Sequence, residues 1–378
     1  MVSHKHILLI ICCYWALMQQ AVSQKQIDFE LGVTRMNLDF KKKADDRKQI
    51  LRLIKESGAK YVRLSGPKNS QAIPQVIDDI KYANCLGLQV YIALYKAKEL
   101  FPPNERKVPF LNTKASYRFS SIDLESYTLF LKNILAEVKA QDAKLLGIEV
   151  FNEPNFGFNG DIIINKNKQP GIIINEHTQS EDVVFMQGLN KIEEGFNKYG
   201  QLLKITKEQI NATFKGQEAP KVITASLSLD NQLSNWEFGR RKRVNVVDPG
   251  YFLRFLAGKT NKNETDYLQY ADKIGTHYYP KLVNDQSEAN EIPHRILSKI
   301  TENTNKPILI SEFGISRKRV NNENDRYQHF KIAIDALQNS ALLKNEVVYI
   351  FSFDINDTHK IFDEGSLLPC ADIYNYYN

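Results

Sequence analysis

The sequence predicts an α/β fold, a (β/α)8 TIM barrel, on three observations. Short, near-continuous apolar runs recur eight times along the chain, helical patterns separate them, and the longest insertions follow the ends of the third, fourth and fifth runs. Near-continuous apolar strands are buried on both faces, the habit of a parallel sheet covered by helices. Eight such βα units favour a closed barrel over an open sheet. No G-x-G-x-x-G follows the first run, so the signature of a dinucleotide-binding sheet is missing.

The strands are expected at 29–36, 60–64, 89–94, 146–151, 221–227, 273–277, 307–311 and 347–353. Helices are expected at 45–56, 74–85, 121–140, 181–199, 249–257, 288–301 and 325–343. In the first helix Ile50, Leu53 and Ile54 recur at helical spacing before Gly58, and Pro74 suits the first turn of the second. Insertions occupy 95–119, 156–177 and 228–248, on the face where barrels keep their active sites. Within the second of these, the isoleucine triplets at 162–164 and 172–174 flank a polar stretch and read as a β-hairpin.

Residues 1–23 read as a secretory signal: Lys5, an apolar stretch at 7–18, and Ala21-Val22-Ser23 as a cleavage site before Gln24. Residues 24–378 then read as one domain, since no linker or shift in composition interrupts them. No later apolar run approaches the roughly 18 residues of a membrane span. Of 4 cysteines, Cys12 and Cys13 lie in the leader, leaving Cys85 and Cys370 as either one bridge or two small buried hydrophobes. The sequons at Asn211, Asn263 and Asn356 are usable only in a compartment that glycosylates. A net charge of +6 spread over the chain does not point to nucleic acid. Phosphate-loop, serine-elbow and zinc motifs are missing, so no cofactor and no metal are expected.

Two of the eight runs end on a glutamate. Ile148-Glu149-Val150-Phe151-Asn152-Glu153-Pro154 is an apolar strand stopped by proline, with Glu153 at its C-terminal tip. Pro307-Ile308-Leu309-Ile310-Ser311 runs into Glu312-Phe313-Gly314. A carboxylate there is costly in a core but suits a barrel rim. Either glutamate alone reads equally well as a helix cap or an arginine's partner; two in the same relation to a βα turn read as a site. Glycosidic hydrolysis needs two such groups, one to protonate the leaving oxygen and one to attack or to activate water.

These motifs resemble clan A of the glycoside hydrolases. The resemblance implies that Asn152 holds the sugar 2-hydroxyl, Glu153 is the acid/base and Glu312 is the nucleophile. Arg63, in Tyr61-Val62-Arg63, resembles the clan's arginine that hydrogen-bonds the nucleophile. His277 and Tyr279 resemble its His-x-Tyr pair, whose tyrosine contacts the nucleophile. Arg63 should then keep Glu312 ionised, whereas Glu153, beside another carboxylate, should hold its proton more firmly. Outside this set, Arg63 would read as a barrel-core ion pair and His277 as a core histidine.

The end of the eighth strand, Tyr349-Ile350-Phe351-Ser352-Phe353-Asp354, lacks the tryptophan that many clan members use as a sugar floor. Phe351 or Phe353 is the candidate replacement, and Trp236 stacks on a sugar or packs on its own loop. Arg240-Arg241-Lys242-Arg243 is either a solvated face or a reader of anionic glycan. The implied protein is a secreted retaining β-glycosidase acting on a polysaccharide or oligosaccharide. An exo-acting β-glycosidase, a transglycosylase and a non-catalytic glycan-binding barrel stay open.

Overall fold

The computed structural model describes residues 25–36, 38, 43–111, 114–162, 172–214, 216, 219–229, 245–343, 346–351, 359–363 and 365–377. Eight parallel strands close into a barrel: β1 (Glu30–Arg35), β2 (Tyr61–Ser65), β3 (Gln89–Ala93), β4 (Gly147–Asn152), β5 (Lys221–Ser228), β6 (Ile274–Tyr278), β7 (Ile308–Phe313) and β8 (Val347–Phe351). Each strand pairs with its sequence neighbours, and β8 returns to β1 with Thr34 opposite Phe351. All eight expected strands are present, each within two residues of its expected start.

Among the described residues, seven helices of eight or more residues wrap the barrel: α1 (Ala44–Glu56), α2 (Ile73–Cys85), α3 (Leu124–Ala140), α4 (Val183–Thr213), α5 (Pro249–Leu256), α6 (Gln286–Thr301) and α7 (Glu323–Ser340); the short α8 (Ile373–Tyr377) follows near the C-terminus. Their starts are written into the sequence. Asp123, Asp182, Asp248, Asp285 and Asn322 each accept a backbone N–H of the first turn, satisfying donors the helix cannot. Helix α4 runs 31 residues, where the sequence predicts a stop near Tyr199. Gly200, one residue past that expected end, is helical and lets Tyr267 pack on the helix: an added Cβ would lie 2.3 Å from the Tyr267 ring.

Of the expected hairpin at 162–174, residues 163–171 lie outside the described residues. Ile162 ends a 3₁₀ turn, and Ile173–Ile174 pairs in parallel with Val246–Val247 from the loop after β5. Asn245 flanks the pairing, accepting from the Ile172 N–H at 3.1 Å and donating to the Ile162 carbonyl at 3.1 Å. An antiparallel pair, Val108–Leu111 with Lys114–Ser116, arises in the loop after β3. Cys85 and Cys370 are both free thiols, the first exposed and the second buried.

Inside the barrel the layers are unequal. Tyr91, Ile223, Leu309 and Tyr349 form an apolar layer towards the strand starts, apart from the main core between strands and helices. Glycines make its room: a Cβ on Gly32 would lie 2.7 Å from Tyr349, and one on Gly147 would lie 2.5 Å from Ile223. Gly32→Ala should therefore overpack the barrel and cost about 1–3 kcal/mol. Urea unfolding checks this; an unchanged midpoint would mean that Tyr349 moves aside freely.

Candidate active site

The site begins on β2, whose alternation points Arg63 into the barrel, where it is fully buried. A guanidinium there must be neutralised on several sides. Its Nε donates to Glu149 on β4 at 2.7 Å, Nη1 to Glu312 on β7 at 3.1 Å, and Nη2 to the Asn152 side-chain oxygen at 3.4 Å. Burial alone would favour losing the proton, but the two carboxylates hold Arg63 charged.

Strand β4 breaks its own alternation to deliver Asn152 and Glu153. Glu149 points inward, so Phe151 should as well. Instead Phe151 has a left-handed φ of 70° and packs outward against Phe119 and against Tyr127 of α3. The switch turns Asn152 towards Arg63. Glu153 follows with φ 41°, its N–H bonded to the Ser226 carbonyl at 3.0 Å. Two left-handed non-glycine residues so close together, each costing about 1–3 kcal/mol, persist only where the surroundings over-determine them.

Those surroundings are specific. Asn155 donates to the carbonyls of Ser228 and Val247 and accepts the Ser228 N–H, tying the loop to the end of β5. Asn159 donates to the Pro154 carbonyl at 3.3 Å. Lys96, in the loop after β3, donates to the Phe158 carbonyl and to Ser116. Burial pushes the Lys96 ammonium down to about 7 and the nearby Asp161 carboxyl up to about 6, against the Ser120 hydrogen bonds that hold Asp161 ionised.

His277, on β6, stands between the two glutamates. Its Nδ1 is 3.0 Å from Glu153 Oε1 and its Nε2 is 3.3 Å from Glu312 Oε1, the latter off hydrogen-bond geometry but close enough for charge attraction. Tyr279 donates to Glu312 Oε2 at 2.7 Å. Burial opposes ionisation of Glu312, yet His277, Arg63 and the Tyr279 hydroxyl outweigh it and hold the carboxyl below its usual range. Burial likewise opposes the imidazolium, and Glu312 and Glu153 outweigh it, raising His277.

The structure thus brings Arg63, Asn152, Glu153, His277, Tyr279 and Glu312 together at the C-terminal ends of β2, β4, β6 and β7. Trp236, Phe353, residues 240–243 and the side chain of Phe351 lie outside the described residues. Glu149 was not singled out by sequence reasoning; its signal is a carboxylate at an inward position of an apolar strand. Lys96, Asn155 and Asn159 carried no comparable signal, because their partners are backbone carbonyls set by loop geometry. Among the described residues no cluster of three His, Cys, Asp or Glu side chains is placed to hold a metal, and no helix is long and apolar enough to cross a membrane.

No protein-family model matches the chain. No curated protein sequence matches it either. Solved structures do. A beta-glycosidase aligns over 93% of this chain and 96% of its own at TM-score 0.56 and 12% identity. The virulence factor SghA of Agrobacterium tumefaciens aligns over 95% and 99% at TM-score 0.55 and 11% identity. A Bacteroides ovatus GH5 xyloglucanase aligns over 92% and 74% at TM-score 0.52 and 15% identity. At such identities the likeness is one of fold: the chain is a (β/α)8 barrel of the kind these proteins share.

The charges of the site define a stability window. Glu312, lowered in the fold, contributes stability above its ordinary value of 4.5 that is lost as pH falls through its lower folded value. His277, raised in the fold, contributes stability that is full below 6.5 and lost as pH rises through its folded value. Thermal unfolding should show the midpoint highest between those limits, and His277→Gln should remove the alkaline decline. A variant that keeps that decline would assign it to another group.

Proposed function

We propose that the protein is a glycoside hydrolase that cleaves β-glycosidic bonds with retention of configuration, with Glu312 as nucleophile and Glu153 as acid/base. The observation that carries the reading is the asymmetry of the two carboxylates. Glu312 receives Arg63, Tyr279 and the His277 charge, whereas the one side-chain contact of Glu153 among the described residues is His277. An ionised group held by fixed donors suits attack on an anomeric carbon; a group joined to a single titratable partner suits gaining and losing a proton. Support for the class comes from the solved barrels of the same fold, among them a beta-glycosidase, a xyloglucanase and a galactanase.

In this reading Glu312 attacks the anomeric carbon as Glu153 protonates the departing oxygen, forming a glycosyl-enzyme. Glu153 then takes a proton from water, which displaces Glu312. Arg63 and Tyr279 give up part of their bonding to Glu312 as its charge is spent and recover it in the second step. Asn152, which accepts from Arg63, meets the sugar 2-hydroxyl in this reading. We read the substrate as a polysaccharide cut internally and the protein as secreted after loss of residues 1–23.

The two glutamates should separate by leaving group. Glu312→Ala should slow every substrate severely, because no covalent intermediate can form. Glu153→Ala should spare the first step on an aryl glycoside whose phenol leaves unaided, and azide should restore its turnover as a β-glycosyl azide. In Glu312→Ala, azide should yield the α-product. NMR of the azide adducts reads the outcome, and reversed stereochemistry in the two variants would overturn the assignment. The first anomer released by the parent enzyme should be β; an α-anomer would replace double displacement by single displacement.

A further inference from the structure

A cavity of about 1000 Å³ lies away from the carboxylates. It opens at the other end of the barrel, where the strands begin, between Tyr61 and Gln89 on one side and Gly147, Lys221 and Val347 on the other. Its roof is the apolar layer of Tyr91, Ile223, Leu309 and Tyr349, with the two tyrosine rings 5.3 Å apart and each only 1% exposed. The glycines at inward positions 32 and 147 admit the side chains of that roof and put nothing below it. Leu146 stands at the mouth, 40% exposed and apolar.

The mouth is cationic. Lys139, Lys144, Lys221 and Lys273 line it with one carboxylate, Asp142, which pairs with Lys144; Lys273 pairs with Glu346, which lies outside the lining. Lys139 donates to the Thr213 carbonyl at 3.0 Å. Lys221, the first residue of β5, is exposed and has no ion-pair partner among the described residues. Above the roof the nearest charges are already paired, Glu149 on β4 with Arg63 at 2.7 Å. The roof therefore offers a ligand only apolar surface, and the cationic groups open to an acid lie at the mouth.

We propose that this cavity is a second binding site, for a small organic acid with an apolar body: rings or chain against the tyrosine roof, acid group outward at Lys221 and Lys273. Its size matches that of small-molecule sites, which hold ligands in roughly 300–1,000 Å³. It shares no residue with the Glu153–Glu312 centre, so the fate of the hydrolase reading neither supports nor removes it.

The probe is 8-anilinonaphthalene-1-sulfonate, an apolar anion that fluoresces when its rings leave water, titrated into the whole protein. One saturable site per chain is expected. Lys221→Glu should weaken binding about five-fold, the effect of turning one exposed attraction into a repulsion. N-phenyl-1-naphthylamine, the same rings without the sulfonate, should be indifferent to that change. The indole introduced by Leu146→Trp should transfer its excitation to the bound probe, placing it at this mouth. Loosened proteins also bind the dye, so near-ultraviolet dichroism of each variant must overlay the parent; where Lys221→Glu fails that check, Lys221→Gln gives the same reading at a smaller effect. Unchanged affinity in the charge variants, equal charge sensitivity of the neutral probe, or no transfer from the position-146 indole would each overturn the proposal.

Discussion

One buried guanidinium organises this molecule. Among the described residues, Arg63 is the side chain that joins β2, β4 and β7 at once, through Glu149, Asn152 and Glu312. Removing either partner carboxylate would leave charge uncompensated in a dry interior, which typically costs about 3–5 kcal/mol. The arrangement therefore fixes the strands' relative height as firmly as it fixes the site. It also ranks the two carboxylates: Glu149 is wholly enclosed, taken up by Arg63 and by the Ser226 N–H, while Glu312 keeps 8% exposure and faces the open end.

Strain at the exit of β4 is the second constraint, and it follows from the first. An inward Glu149 would, by simple alternation, bury Phe151 in the polar layer and turn Asn152 away from Arg63. The left-handed turn at Phe151 resolves that conflict by placing the ring among Phe119 and Tyr127. Holding Glu153 in its own left-handed conformation then falls to the loop, where Asn155 and Lys96 tie it to β5 on one side and to the β3 insertion on the other. Elaborated loops on this face are thus the means by which a strained carboxylate stays where the barrel puts it.

Much of this was legible in the sequence, for identifiable reasons. Strands buried on both faces write themselves as continuous apolar runs, and capped helices announce their starts, so the barrel could be read element by element. The two glutamates drew attention as a pair in the same relation to a βα turn, and Arg63, His277 and Tyr279 through their resemblance to the clan's motifs, since each alone has an ordinary structural reading. The length of α4 was not legible, since Gly200 beyond its expected end admits Tyr267, a contact far away in the chain. The partner of Ile173–Ile174 was not legible because apolar β-branched residues specify extension without specifying a partner; Val246–Val247 pairs with them beside Asn245. Glu149 hid among apolar neighbours in the very motif that drew attention to Glu153.

The two ends of the barrel interior depend on each other through what separates them. Arg63, Glu149, Glu312 and His277 attract strongly only while water is kept from them, because the same charges in solvent are screened to a small fraction of their strength. From below, that exclusion rests on Tyr91, Tyr349, Ile223 and Leu309, the layer that also roofs the lower cavity. Aromatic rings are well shaped for such a layer, since they span the barrel from few positions, and Gly32 leaves room for the width of Tyr349. A barrel packed to its floor with aliphatic layers would insulate the charges equally well but would have no cavity. Here one apolar layer insulates, so the space beneath it is open to a ligand without loosening the charges above.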